Sequence, residues 1–106
     1  MKNLKEEKWR LGLKNDPNAV VIDVRTPAEW NDGIIPESVM ANIMGGPDFV
    51  EKMRSWDKSK EYYVYCRSGN RSFHACRAMA KEGFTCYNLE GGILAWKGEI
   101  VEPITH

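Results

Sequence analysis

Apolar positions along the chain follow two rhythms. Ala19-Val20-Val21-Ile22-Asp23-Val24 and Tyr62-Tyr63-Val64-Tyr65 are continuous β-branched or aromatic runs, the mark of strands covered on both faces in a parallel sheet. Thr85 to Leu89 and Ser38 to Ile43 read as two further short strands. Between them the spacing turns helical. Phe49, Val50 and Met53 share one face of a helix that Asp48 can cap. Phe73 to Glu82 reads as a second helix, stopped by Gly83 as its C′ residue. Thr26-Pro27-Ala28-Glu29 fits a helix start, with Thr26 as cap, Pro27 at the first helical position and Glu29 completing the box. Gly91-Gly92 opens a final helical turn carrying Leu94, Ala95 and Trp96. Leu4 to Lys14 reads as a marginal surface helix, because Trp9, Leu11 and Leu13 sit among charges. Asn15 to Asn18, Asp32-Gly33 and Gly45-Gly46-Pro47 are turns or hinge-like loops.

Strands alternating with helices predict an α/β architecture, a central parallel sheet with helices on both faces. Ligands of such sheets bind beyond the carboxyl ends of the strands. The 106 residues are one domain by size, without internal repeat, low-complexity tract or linker.

Composition limits the function classes. Hydrophobic residues make up 42% and charged residues 28%, as in ordinary soluble globular proteins. Fifteen basic residues balance fifteen acidic ones, so no global field draws in nucleic acid or an anionic membrane, and any anion site is local. No run approaches the ~18 apolar residues of a membrane span, and Met1 to Lys8 lacks the apolar core of a signal peptide. The expected compartment is the reducing cytoplasm, where a free cysteine stays free. The three cysteines are spaced ten and ten apart, which matches no zinc pattern, and an odd count argues against a disulfide framework. No metal or organic cofactor is expected.

The chemistry concentrates in one place. The run Tyr62 to Tyr65 ends in Cys66, followed by Arg67-Ser68-Gly69-Asn70-Arg71-Ser72 and then a helix. A thiol at the mouth of such a loop meets inward-pointing amides at the positive end of a helix, where the reactive thiolate is stabilised. Free cysteine, with a pKa of ~8.5, is only about 3% thiolate at pH 7. Majority ionisation needs a shift worth roughly 2.7 kcal/mol. A helix terminus supplies ~0.3–1 kcal/mol, and a cation ~6 Å away about 2–3 kcal/mol before screening. Loop amides, helix dipole and Arg67 or Arg71 are therefore expected to act together. Gly69 lets the backbone turn an N–H into the cradle. Arg67 and Arg71 are the expected grip on an anionic donor, Asn70 bonds within the loop or to the donor, and Ser72 caps the helix.

Other residues take plainer readings. Cys76 and Cys86 are core thiols, and His74 is an exposed helix histidine. Asp23 and Arg25 form a structural salt bridge or loop anchor at a strand end, with Arg25 in a position to support the site. Trp30, Trp56 and Trp96 are core or rim aromatics.

Three blocks, in order, resemble the rhodanese (sulfurtransferase) family: Asp23 to Trp30, the loop Cys66 to Ser72, and Leu89-Glu90-Gly91-Gly92-Ile93-Leu94-Ala95-Trp96. The resemblance spans roughly residues 15–102, the expected core of a single rhodanese-like domain. The chain departs from the family's Gly-His-Ile-Pro-Gly-like segment: Gly33-Ile34-Ile35-Pro36-Glu37 has Ile34 in place of the histidine and Glu37 in place of the second glycine. The resemblance implies a rhodanese-like fold, a persulfide on Cys66, and transfer of a sulfane sulfur from a thiosulfate-like donor to a thiophilic acceptor. Cyanide serves in assays; a thiol or a protein is the cellular acceptor. Two alternatives stay open. One is a sulfur-relay or binding module fed by a partner desulfurase. The other, ranked lower, is a cysteine phosphatase or arsenate reductase. Such phosphatases need C-x5-R, whereas Arg71 stands five residues after Cys66 and makes C-x4-R. The smaller ring suits one sulfur atom.

Overall fold

The computed structural model describes residues 1–103. Its elements run β1 (Lys2–Leu4), α1 (Glu6–Asn15), β2 (Ala19–Asp23), α2 (Pro27–Trp30), β3 (Val39–Met40), a 3-10 turn (Ile43–Gly45), α3 (Pro47–Arg54), β4 (Glu61–Tyr65), α4 (Asn70–Lys81), β5 (Thr85–Leu89) and α5 (Gly92–Ala95). The strands form one five-stranded sheet in the order β1-β5-β4-β2-β3, every pairing parallel. This is the expected α/β arrangement. The continuous apolar runs became β2 and β4 because both faces of the sheet are covered. Side chains alternate between the faces. Ile22, Val24, Val64 and Met79 join Phe49 and Met53 in the layer beneath α3 and α4. Val21, Tyr63, Tyr65 and Leu89 lie on the other face with Trp9 of α1, and Ile93 and Trp96 pack against them. Among the described residues no helix is long and apolar enough to cross a membrane.

The N-terminal segment differs from its expectation. Trp9 is fully buried rather than lying on the surface. It meets Tyr63, Tyr65 and Trp96 edge to face, and its indole N–H donates to the Tyr87 carbonyl at 3.0 Å. One large aromatic, with its single polar atom satisfied, anchors a helix whose other positions are mostly polar. β1 was not anticipated at all. Lys2-Asn3-Leu4 has little strand propensity, and only its pairing with β5 makes it a strand. α3 also starts differently: Gly46, at φ +60°, is its cap and Pro47 its first residue, so Asp48 lies inside the first turn. Cys76 and Cys86 are buried in the core as expected, and all three cysteines are unpaired thiols.

The segment that departs from the family's pattern makes a tight turn. The Ser38 N–H donates to the Ile35 carbonyl at 3.2 Å. Pro36 and Glu37 are the central residues, and Glu37 has φ +67°, the only positive φ at a non-glycine among the described residues. Proline first and a positive φ second are marks of a type II turn, whose second central position favours glycine. Ile34 is buried and bridges Val101 in antiparallel fashion. Glu37→Gly is therefore expected to stabilise the protein by about 0.5–1 kcal/mol, the left-handed strain relieved less the added freedom of the unfolded chain. Urea unfolding of the two proteins reads this directly.

Candidate active site

β4 ends at Tyr65 and α4 begins at Asn70, so residues 66–69 form the whole connection. Gly69 occupies the N-cap position in a left-handed conformation, φ +99°. That turn aims its N–H back at Cys66, donating to Sγ at 3.1 Å. The Ser72 hydroxyl donates to the same sulfur at 3.4 Å. Cys66 is only 1% exposed. Burial pushes its pKa up, but the Ser72 hydroxyl and the amides of Ser72, Gly69 and Ser68 outweigh it and leave the pKa lowered. The groups that bring it down most are neutral donors, and the Arg71 guanidinium also interacts with the thiolate's charge. α4 thus starts three residues earlier than its apolar pattern indicated. Ser72 lies in its first turn facing the sulfur rather than capping the helix, because Gly69 ends the loop sooner. Asn70 is exposed, and with Ser68 and Phe73 it lines an open cleft of about 260 Å³ beside the loop.

The back of the loop is held by the third sequence block. The amides of Ile93 and Leu94, left without partners within α5, donate to the carbonyls of Cys66 at 2.9 Å and Arg67 at 3.2 Å. This close approach requires Gly92: a Cβ there would lie 2.3 Å from the Arg67 oxygen and 2.6 Å from that of Cys66. A Cβ on Gly69 would meet the Gly91 nitrogen and the Leu89 oxygen at 3.0 Å each. The two segments interlock backbone to backbone. Gly91-Gly92 opens α5 as its sequence indicates, and paired glycines before a helical turn are the signal that a chain passes close by.

The charged residues divide into two pairs. Asp23 and Arg25 are buried, with Arg25 Nη2 donating to Asp23 Oδ2 at 2.8 Å and to the Gly33 carbonyl at 2.7 Å. The Tyr65 hydroxyl donates to Asp23 Oδ2 at 2.8 Å. This ties the ends of β2 and β4 to the segment after α2, the structural anchor expected of Asp23 and Arg25. Burial pushes the guanidinium toward neutrality, and pairing with Asp23 outweighs it, leaving the Arg25 pKa raised. Arg71 departs from expectation. Instead of standing free to grip an anion, it forms a bidentate pair with Glu29, Nη1 to Oε1 at 2.7 Å and Nη2 to Oε2 at 2.8 Å. The first turns of α2 and α4 face each other, and the capping box that pins Glu29 to Thr26 presents its carboxylate to Arg71. Arg71 is the main reason that the Glu29 pKa falls to about 2. Arg67 is exposed, and among the described residues no carboxylate pairs with it.

The family model for the rhodanese-like domain matches residues 6–99. A Bacillus subtilis protein named "Putative sulfurtransferase YtwF" is 44% identical over 87 residues, 82% of either chain. The Saccharomyces cerevisiae thiosulfate:glutathione sulfurtransferase is 32% identical over 97 residues, covering 82% of this chain and 70% of that one. The crystal structure of a rhodanese-like domain protein from Staphylococcus aureus superposes with a TM-score of 0.83 at 27% identity, covering 98% of this chain and all of the other.

Two outcomes follow from the geometry. Ser72→Ala removes one donor from the sulfur, so the Cys66 titration midpoint rises and alkylation at pH 7 slows about two- to fivefold, as read by mass spectrometry of the Cys66 peptide. Glu29, lowered from 4.5 to about 2 by folding, contributes stability above pH 4.5 that is lost as pH falls toward 2. The stability difference between wild type and Glu29→Gln should be constant at neutral pH and shrink across that acid range in denaturant melts.

Proposed function

The chain belongs to the rhodanese-like domain family, and on that premise we propose that it is a sulfurtransferase of the thiosulfate type working through Cys66. Family membership and relatives named for sulfur transfer support transferase chemistry in general. The observation that carries the specific reading is the ring of donors around one sulfur: the Gly69 N–H at 3.1 Å, the Ser72 hydroxyl at 3.4 Å, and a lowered thiol pKa despite burial. The Cys66 thiolate attacks the outer sulfur of the donor. A Cys66–sulfur bond forms, the donor's S–S bond breaks, and sulfite leaves with the bonding electron pair. The persulfide is then attacked at its terminal sulfur by a thiol or protein acceptor, and the Cys66 thiolate departs. Arg67 supplies the exposed guanidinium for the donor's oxygens, with Ser68, Gly69 and Asn70 along the approach. Arg71 acts at one remove, fixing the start of α4 through Glu29. The mechanism uses no metal or organic cofactor. The protein acts in the cytoplasm, neither on a membrane nor on nucleic acid.

Phosphoryl transfer fits this ring poorly. The position six residues after Cys66 holds Ser72, whose hydroxyl already faces the sulfur, and Arg71 is committed to Glu29. A relay module fed by a desulfurase is the second reading. It is favoured by one observation: a nearly buried sulfur with one of its two neighbouring arginines neutralised offers a free anion a weak grip.

Incubation with thiosulfate followed by intact mass analysis should show one added sulfur atom, removed by thiol reductant and absent in Cys66→Ala. Cyanide should then release thiocyanate from the wild type alone. Sulfur uptake from a desulfurase with negligible thiosulfate turnover establishes the relay reading instead. Equal behaviour of wild type and Cys66→Ala overturns both.

A further inference from the structure

Asn88 lines the cleft beside the Cys66 loop and bonds to Gly69, the residue whose N–H donates to the sulfur. Asn88 lies near the end of β5 with only 1% of its surface exposed. Its Nδ2 donates to the Gly69 carbonyl at 3.1 Å and to Asn3 Oδ1 at 2.8 Å. Both partners are oxygens, which assigns the amide's orientation. Asn3 is the register partner of Asn88 in the neighbouring strand, and its own Nδ2 donates to Glu90 at 3.2 Å. A single chain of hydrogen bonds therefore runs from Glu90 through Asn3 and Asn88 to Gly69, and from the Gly69 N–H to the sulfur.

We infer that Asn88 is a positioning residue for the Cys66 thiolate, and that Asn3 of the N-terminal strand locks it in place. Gly69 sits at φ +99°, and without a side chain nothing of its own resists rotation. Its carbonyl end is held by the Phe73 amide at 3.2 Å and by Asn88, and its N–H end points at Cys66. The carbonyl and the N–H lie on the two peptide units hinged at the Gly69 Cα, so losing the Asn88 bond leaves the first unit held by the Phe73 amide alone and lets the second drift from the sulfur. As a stabilising device alone Asn88 is inefficient, because its Oδ1 is buried without a partner, a cost that offsets much of what its two donors contribute. The interaction reaches the site from an edge strand, so the acidity of the thiol depends on the docking of residues 2–4.

The inference rests on the thiolate role given to Cys66 above, yet its test needs no turnover. In the full-length protein the alkylation rate of Cys66 is followed against pH by mass spectrometry, with melting temperature measured alongside. Asn88→Leu should melt near the wild type while Cys66 alkylation at pH 7 slows about three- to fivefold, the loss of one hydrogen bond's worth of thiolate. The titration midpoint should move up and the high-pH plateau rate should stay within about twofold. Asn3→Ala, at an exposed position, should shift the same way by less. Should Asn88→Leu fail to fold, Asn3→Ala alone decides. Midpoints equal to wild type in the folded variants overturn the inference. A wild type that titrates as described but takes up no sulfur overturns the proposed function and leaves this inference standing.

Discussion

A backbone N–H held 3.1 Å from a buried sulfur is the contact around which this protein is arranged. A thiol that is 1% exposed would ordinarily be less acidic than a free one, since a low-dielectric setting penalises its anion. Here the direction is reversed by neutral dipoles: a hydroxyl and the amides of three residues converge on one atom. Such donors carry most of the stabilisation, with the Arg71 charge adding to it from the first turn of α4. They act only while their orientation holds, so the geometry of the loop matters more than its charge.

Orientation comes from backbone packed on backbone. α5 spends its free N-terminal amides on the carbonyls of Cys66 and Arg67, and Gly92 leaves no room for any other residue type there. Gly69 sits equally close to Gly91 and Leu89. The loop is gripped from behind while its donors face the sulfur in front. A motif that reads as a modest helical turn in the sequence is half of the site's mechanical support.

The ion pairs serve the same end. Asp23 and Arg25, with Tyr65, tie together the strand ends beneath the site, and Glu29 with Arg71 ties the first turn of α2 to that of α4. Both pairs hold elements in place rather than facing solvent as free charge. Of the arginines in the loop, Arg67 is the exposed one, and among the described residues no carboxylate pairs with it. A chain of zero net charge offers little long-range attraction to an anion, so any anion would be held by contact at the loop itself.

Local features were legible because each leaves a local trace. The runs 19–24 and 62–65 announced two-faced burial, Gly83 announced the end of α4, Thr26 to Glu29 announced the capping box, and Cys66 with its small and cationic followers announced the loop. What went unread depends on partners far away in sequence. Lys2 to Leu4 is a strand only because β5 lies beside it, and Trp9 is buried only because three aromatics from β4 and the chain's end enclose it. The pairing of Arg71 is invisible in the sequence because Glu29 is 42 residues away, and nothing in the sequence singles out Asn88 because Gly69 is 19 residues away. Periodicity and turn chemistry record what a segment does with its own backbone, and by themselves they determined the α/β order and the position of the thiol. Which donor meets which acceptor is decided when the sheet closes, since a hydrogen bond or ion pair selects its partner by distance in space and leaves no repeat in the sequence.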